Sequence, residues 1–191
     1  MKLYGSQTSP YVRRIRLLLA NEAYQFVNLN IFDGPDRATL INYNPARKIP
    51  MLLDHEQVIY DSGVIFRYLA DKFGFAALSW AEENQLTLIN AANDSLVELL
   101  LCKRSGFNIL EDKLFFSLQH ERVSGALAAL EQLVAAGEFS KWQYPAIALY
   151  CLLDWISFRE LTSLAHYPKL QAFLQQHQSE AAVALSDPRI L

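Results

Sequence analysis

Glycine and proline are scarce in this chain: seven of each stand among 191 residues. Together they make up about 7%, against a usual share of about 12%. The shortfall excludes a collagen-like or disordered chain and argues against an all-β protein, whose turns consume both residues. Cysteine is rarer still. Cys102 and Cys151 lie far apart and form neither a CxxC pair nor a metal-ligand spacing, so the sequence reads as a reduced, cytoplasmic protein without structural disulfides. Basic charge is not in excess. Seventeen Lys and Arg against 20 Asp and Glu give a net charge of −3, which leaves no broad positive field for nucleic acid. Long apolar runs are missing as well. The longest nearly apolar stretch, Tyr144 to Leu153, falls well short of the roughly 18 residues of a membrane span. Near the start, Arg13, Arg14 and Arg16 interrupt any signal-peptide core. His166 and His177 have no metal-ligand partner, so no metal site is assigned.

What is present is material for a core. A chain of 191 residues makes one or two domains and buries roughly 70% of its unfolded surface. Charged residues make up 19%, below the usual share of about 25%, which points to a covered face and hence to an oligomer. The first 74 residues mix strand and helix signals. Lys2 to Gly5 reads as a strand, and Ser9-Pro10 as the cap and first position of a helix running to about Ala23. Phe26 to Ile31 suggests a second strand, and Pro35-Asp36 opens a short helix after the Asp33-Gly34 turn. Two apolar runs, Ile49 to Leu53 and Val58 to Tyr60, flank Asp54-His55-Glu56-Gln57 as a hairpin. Asp61-Ser62 then caps a helix that ends near Gly74. Residues 75–82 read as a linker, and residues 83–191 as helical throughout. Ala146 to Leu161 is apolar nearly all round and marks a buried helix; a last helix starts at Tyr167-Pro168 and runs to about His177.

This layout resembles the cytosolic glutathione S-transferase superfamily: an α+β, thioredoxin-like domain over residues 1–74, followed by an all-α domain over residues 83–191. The resemblance rests on Ser9-Pro10-Tyr11-Val12-Arg13-Arg14, on Asn44-Pro45-Ala46-Arg47-Lys48-Ile49-Pro50 and on Asp61-Ser62. Order and spacing carry it, since each piece alone is weak. The nearest relatives in kind are small bacterial members with a serine before the first-helix proline. Two departures stand out. The family has a Ser-x-x-Asp cap on its buried carboxy-terminal helix, where this chain has Gln143-Tyr144-Pro145-Ala146. The carboxy terminus is also short, which is expected to leave the substrate side of the cleft open.

The candidate residues have plain structural readings of their own. Ser9 before Pro10 is a common helix cap. The resemblance adds that its hydroxyl donates to the sulfur of glutathione, in the positive field of a helix N-terminus. With no His or Lys paired to it, it is not read as a covalent nucleophile. Tyr4 is the rival activator, although it lies inside a strand signal. Ile49-Pro50 is an ordinary trans junction on base rates; the resemblance implies a cis bond, with the Ile49 backbone pairing to the peptide of glutathione. Asp61 and Ser62 cap a helix on any reading. The resemblance assigns Ser62 to the γ-glutamyl carboxylate and Asp61 to the γ-glutamyl amine. Lys48 meets the glycyl carboxylate or stays solvated beside Arg47. Arg13, Arg14 and Arg16 are expected to lie partly on a solvated face. Asn93 and Asp94 form either a polar face or a reach into a partner's glutathione site. Tyr11, Arg104 and Phe107 are candidates for the electrophile side.

The resemblance therefore implies a homodimeric, cytoplasmic glutathione S-transferase. Glutathione would be the co-substrate and a small, partly apolar electrophile the partner. The dimer contact would join the helix after Ser62 of one subunit to the helix after Glu83 of the other. The alternatives are a non-enzymatic interaction module of the same fold and a glutathione-dependent peroxidase or reductase. Ser9 disfavours the reductase, since serine cannot form a mixed disulfide.

Overall fold

The computed structural model describes residues 1–190. Its elements run β1 (Lys2–Gly5), α1 (Pro10–Leu18), β2 (Gln25–Asn28), α2 (Gly34–Tyr43), β3 (Met51–Asp54), β4 (Gln57–Tyr60), α3 (Ser62–Phe73), α4 (Trp80–Arg104), α5 (Leu114–Ala135), α6 (Tyr144–Arg159), α7 (Pro168–His177) and α8 (Ala181–Leu185). By packing, the chain divides into two units. Met1–Ala77 and the described residues from Gln178 onward form one, and Leu78–His177 form the other. This is the thioredoxin-like arrangement of a four-stranded mixed sheet with helices, followed by a helical region. Among the described residues no helix is long and apolar enough to cross a membrane.

In the first unit the strands lie in the order β2-β1-β3-β4. β1 and β2 are parallel, so the connection between them must cross over, and α1 makes that crossing. β1–β3 and β3–β4 are antiparallel, the latter joined by a tight turn in which His55 takes φ +53°. Alternation along the strands divides the core. Tyr4 and Met51 pack with Leu29 and with Leu40 of α2. Their neighbours Leu3 and Leu52 are fully buried too and point to the opposite face, as do the apolar residues of α1 and α3, which pack together. Gly5 is needed where α1 comes close to β1: a Cβ there would stand 2.4 Å from Cγ2 of Val12. At the far end of α3, Gly74 closes the helix in the left-handed conformation, with φ +71°.

The second unit is built on α4 and α5, which pack along each other, with α6 as its centre. Every residue from Tyr144 to Ile156 is buried, as the all-round apolar sequence requires. α6 begins at Gln143 without a side-chain cap, and Pro145 stands in its first turn, which is where proline fits. Glu131 on α5 supplies a cap to α7 instead: its two carboxylate oxygens accept from the backbone N–H groups of Lys169 and Leu170, each at 2.9 Å.

Several expectations shift. α1 ends at Leu18 rather than near Ala23. α4 starts at Trp80, inside the stretch read as linker, because Ser79 and Glu82 form a reciprocal capping box. Residues 178–190 carry a further helix, α8, and pack with the first unit rather than with the helical one. Arg13 and Arg14 do not lie on a solvated face. They are 3% and 1% exposed, and the Arg14 guanidinium lies 4.7 Å over the Tyr11 ring. Asn93 is likewise fully buried in α4, while Asp94 beside it is exposed.

Candidate functional site

The register of the sheet gathers the candidate residues of the first unit. Tyr4 at the end of β1 stands opposite Met51 at the start of β3, and Met51 stands opposite Tyr60 at the end of β4. The chain leaving β1 toward Ser9, the chain entering β3 through Ile49-Pro50, and the chain leaving β4 into Asp61-Ser62 therefore lie at one end of the strands, the site edge of the sheet. Two helices, α1 and α3, begin at that edge. Each directs the positive end of its dipole there.

Ser9 caps α1. Its Oγ accepts from the Val12 backbone N–H at a long 3.4 Å, which leaves the hydroxyl proton able to donate elsewhere. The loop that carries it is tied at two points. The Ser9 N–H donates to the Ser6 carbonyl at 3.0 Å, and the Gln7 N–H donates to Oδ1 of Asn28, the last residue of the neighbouring strand β2, at 2.9 Å. The rival, Tyr4, is committed to the core with Leu40 and Met51, its ring 6.1 Å from that of Tyr43.

The Ile49–Pro50 bond is cis. Pro50 is buried, Ile49 half-buried and Lys48 exposed. Asn44, itself buried, folds the approach to this junction: its Nδ2 donates to the Lys48 carbonyl at 2.7 Å and its Oδ1 accepts from the Ala46 N–H at 2.9 Å. The sequence reading names Asn44 only as part of the motif and gives it no role of its own, although Asn before Pro is a turn signal.

Asp61 caps α3 from an uncommon backbone position, φ +75° and ψ 131°. Such conformations cost about 1–3 kcal/mol and concentrate at functional sites. Its Oδ1 accepts from Gly63 N–H at 2.8 Å and Val64 N–H at 3.3 Å, which offsets part of that cost. Ser62 is buried at the first position of the helix, while Asp61 is exposed. Further along, α3 is fastened to the opposite end of β3. Tyr68 Oη donates to Asp54 Oδ2 at 2.8 Å, and Lys72 pairs with the same oxygen. The hydrogen bond from Lys72, helped by the one from Tyr68, holds the Asp54 carboxyl below its ordinary value against the opposing effect of burial. The same contact with Asp54 pushes the Tyr68 hydroxyl and the Lys72 ammonium up. A helix fixed there must begin where it does at the other end.

The electrophile-side candidates are not gathered in one unit. Tyr11 is half-buried in α1 under Arg14. Arg104 ends α4 in the second unit, and Phe107, 61% exposed, follows it in the turn. Chemically, the edge of the first unit offers two helix N-termini, a hydroxyl, a carboxylate and an exposed amine. That set suits an extended ligand with two separated anionic groups and one cationic group.

Comparison with known proteins agrees with this geometry. Residues 3–80 match the family model described as glutathione S-transferase, N-terminal domain. Over its length the chain is 25% identical to the uncharacterized GST-like protein YibF of Escherichia coli strain K12, covering 98% of each. A glutathione S-transferase of Methylobacterium radiotolerans, solved with glutathione sulfonate, superposes with a TM-score of 0.83 at 21% identity, over 97% of this chain and 93% of that one. A glutathione transferase family member of Pseudomonas fluorescens Pf-5, solved with bound glutathione, gives a TM-score of 0.79 at 25% identity, over 97% of each.

Proposed function

Because the chain belongs to the cytosolic glutathione S-transferase superfamily, we propose that it binds glutathione at the sheet edge of its first unit and activates the thiol for attack on a small, partly apolar electrophile. The observation that carries the reading is the alignment of Tyr4, Met51 and Tyr60 across three strands, which brings Ser9, Ile49-Pro50 and Asp61-Ser62 to one edge. The Ser9 hydroxyl donates to the glutathione sulfur, and the N-terminus of α1 adds its positive field. Both favour the thiolate. The Ile49 backbone pairs with the cysteinyl peptide group in the manner of an added strand. Ser62, at the N-terminus of α3, takes the γ-glutamyl carboxylate, Asp61 the γ-glutamyl amine and Lys48 the glycyl carboxylate.

Glutathione loses its thiol proton to solvent. The thiolate electron pair then forms the new bond to the electrophilic carbon, and the leaving group departs with its own pair. The protein forms no covalent bond to either reactant. It contributes charge stabilisation and orientation, with Tyr11 of the first unit toward the electrophile. The active form is a homodimer in the cytoplasm, joined through α3 of one subunit and α4 of the other; exposed Val64 and Trp80 on those helices support that contact. Retention on immobilised glutathione, followed by turnover of an electrophile panel, tests the proposal. Retention and turnover support it. Retention without turnover of any electrophile supports a binding module instead, and absence of retention contradicts the site itself.

A further inference from the structure

Three side chains that flank Ser9 in sequence reach the same distant segment. Gln7, two residues before it, donates through Nε2 to the carbonyl of Asp187 at 3.3 Å and to that of Ile190. Arg13, four residues after it, donates through Nη2 to the Val183 carbonyl at 3.1 Å and through Nε to Oγ of Ser186 at 3.2 Å. Arg16 donates to the Leu185 carbonyl at 3.2 Å. All of these residues belong to one compact unit. The pattern is not that of a loose surface strand. Arg13 is 3% exposed, and Val183 and Ser186 are 4% exposed, so a buried guanidinium is spent on holding a backbone carbonyl 170 positions away and a hydroxyl 173 positions away. Gln7 is gripped from both sides, its backbone by Asn28 and its side chain by Asp187 and Ile190. Between those grips and Arg13 lies the single turn that carries the Ser9 hydroxyl.

We propose that the segment 181–190 positions Ser9: acting through Gln7 and Arg13, it fixes the 6–9 loop against the start of α1 and so sets the distance between the Ser9 hydroxyl and the glutathione sulfur. The coupling to sulfur rests on the reading of Ser9 given above. Gln7, Arg13 and Ser186 are then positioning residues that touch neither reactant. Loss of their contacts frees the loop without removing any group that binds glutathione.

The test uses Gln7→Ala and Ser186→Ala, which remove one set of contacts each, and Arg13→Lys, which keeps the charge but loses the two-acceptor reach. Two quantities are read on the full chain with glutathione bound. One is amide hydrogen exchange at Gln7 and Ser9, and the other is the apparent pKa of the bound thiol from thiolate absorbance. Exchange is expected to quicken about tenfold, as the loss of one or two hydrogen bonds implies, and the thiol pKa is expected to rise toward that of free glutathione. A role in stability alone would lower the melting temperature and leave the thiol pKa where it was. Unchanged exchange at Gln7 and Ser9 overturns the proposal whatever the thiol does. Faster exchange with an unchanged thiol pKa overturns it as well, and Ser9→Ala measured alongside identifies the cause. If that variant also leaves the pKa unchanged, the reading of Ser9 has failed; if it raises the pKa, the clamp alone has failed.

Discussion

Met51 stands opposite Tyr4 across β1 and β3, and this one pairing decides what the first unit can hold. It places the exit of β1 beside the entry to β3, so Ser9 and Ile49-Pro50 share one end of the strands although Ser9 and Ile49 are 40 positions apart in the chain. A slip of one residue in either strand would turn that strand's side chains to the other face of the sheet, taking Tyr4 or Met51 out of the cluster they form with Leu29 and Leu40. The burial of that cluster therefore fixes the site as well as the core.

Asn44 is the support under the Lys48-Ile49 segment. Asn44→Ala removes a donor and an acceptor from a buried position, which costs about 1–3 kcal/mol. Urea unfolding should show a lower midpoint with an unchanged slope, and glutathione affinity should fall with it. A stable variant with weakened binding would still place Asn44 in support of the site. A variant with normal stability and normal affinity would deny it that role.

Asp54 makes stability depend on pH in one direction. Its carboxyl, held low chiefly by Lys72, is charged in the folded chain below the pH at which it would take a proton when unfolded. The stability it contributes is present above its ordinary value of 3.8 and is lost as the pH falls through the lower, folded value. Asp54→Asn should lower the melting temperature at neutral pH and flatten its decline as the pH falls below 3.8. An equally steep acid limb in the variant would mean that other carboxylates carry it.

Glu131 joins α5 to the start of α7 through two charge-assisted bonds. Glu131→Ala should cost about 1.5–3 kcal/mol, with early loss of amide protection at Lys169 and Leu170. A destabilisation spread evenly over the helical unit would contradict this local role.

At the start of α6 the chain has no side-chain cap. Gln143→Asp introduces a capping carboxylate next to the helix dipole and should raise stability by about 0.5–1 kcal/mol, read as a higher melting temperature. No gain would mean that Tyr144-Pro145 already sets the helix entry.

Much of this was legible from the sequence because the signals were local. Val12, Ile15 and Leu18-Leu19 mark α1, Asp61-Ser62 caps α3, and the polar tetrapeptide from Asp54 to Gln57 sits at the β3–β4 hairpin. The capping box at Ser79 and Glu82 was equally local; the linker reading of 75–82 passed over it. Other features are set by partners far along the chain. Arg13 on a short helix looks solvated until Val183 and Ser186 close over it, and nothing near Gln7 points to Ile190. Asn93 shows the same limit, since its place on the buried face of α4 follows from how the helices pack. The polarity of its neighbour Asp94 suggests the opposite.

The central claim is that Ser9 stabilises the thiolate of bound glutathione, and Ser9→Ala tests it most directly. The substitution removes a hydrogen bond to a charged sulfur, worth roughly 1.5–3 kcal/mol, so the conjugation rate should fall about 10- to 150-fold. It also removes the cap of α1, at about 1 kcal/mol of stability, so rate and melting temperature are measured together. The deciding measurement is the apparent thiol pKa of glutathione bound to the wild type and to the variant. The account predicts a higher pKa in the variant, with glutathione affinity changed far less, because Ile49, Asp61 and Ser62 still hold the peptide. A variant that binds glutathione with the wild-type thiol pKa and conjugates at the wild-type rate would reduce Ser9 to a helix cap and contradict the account.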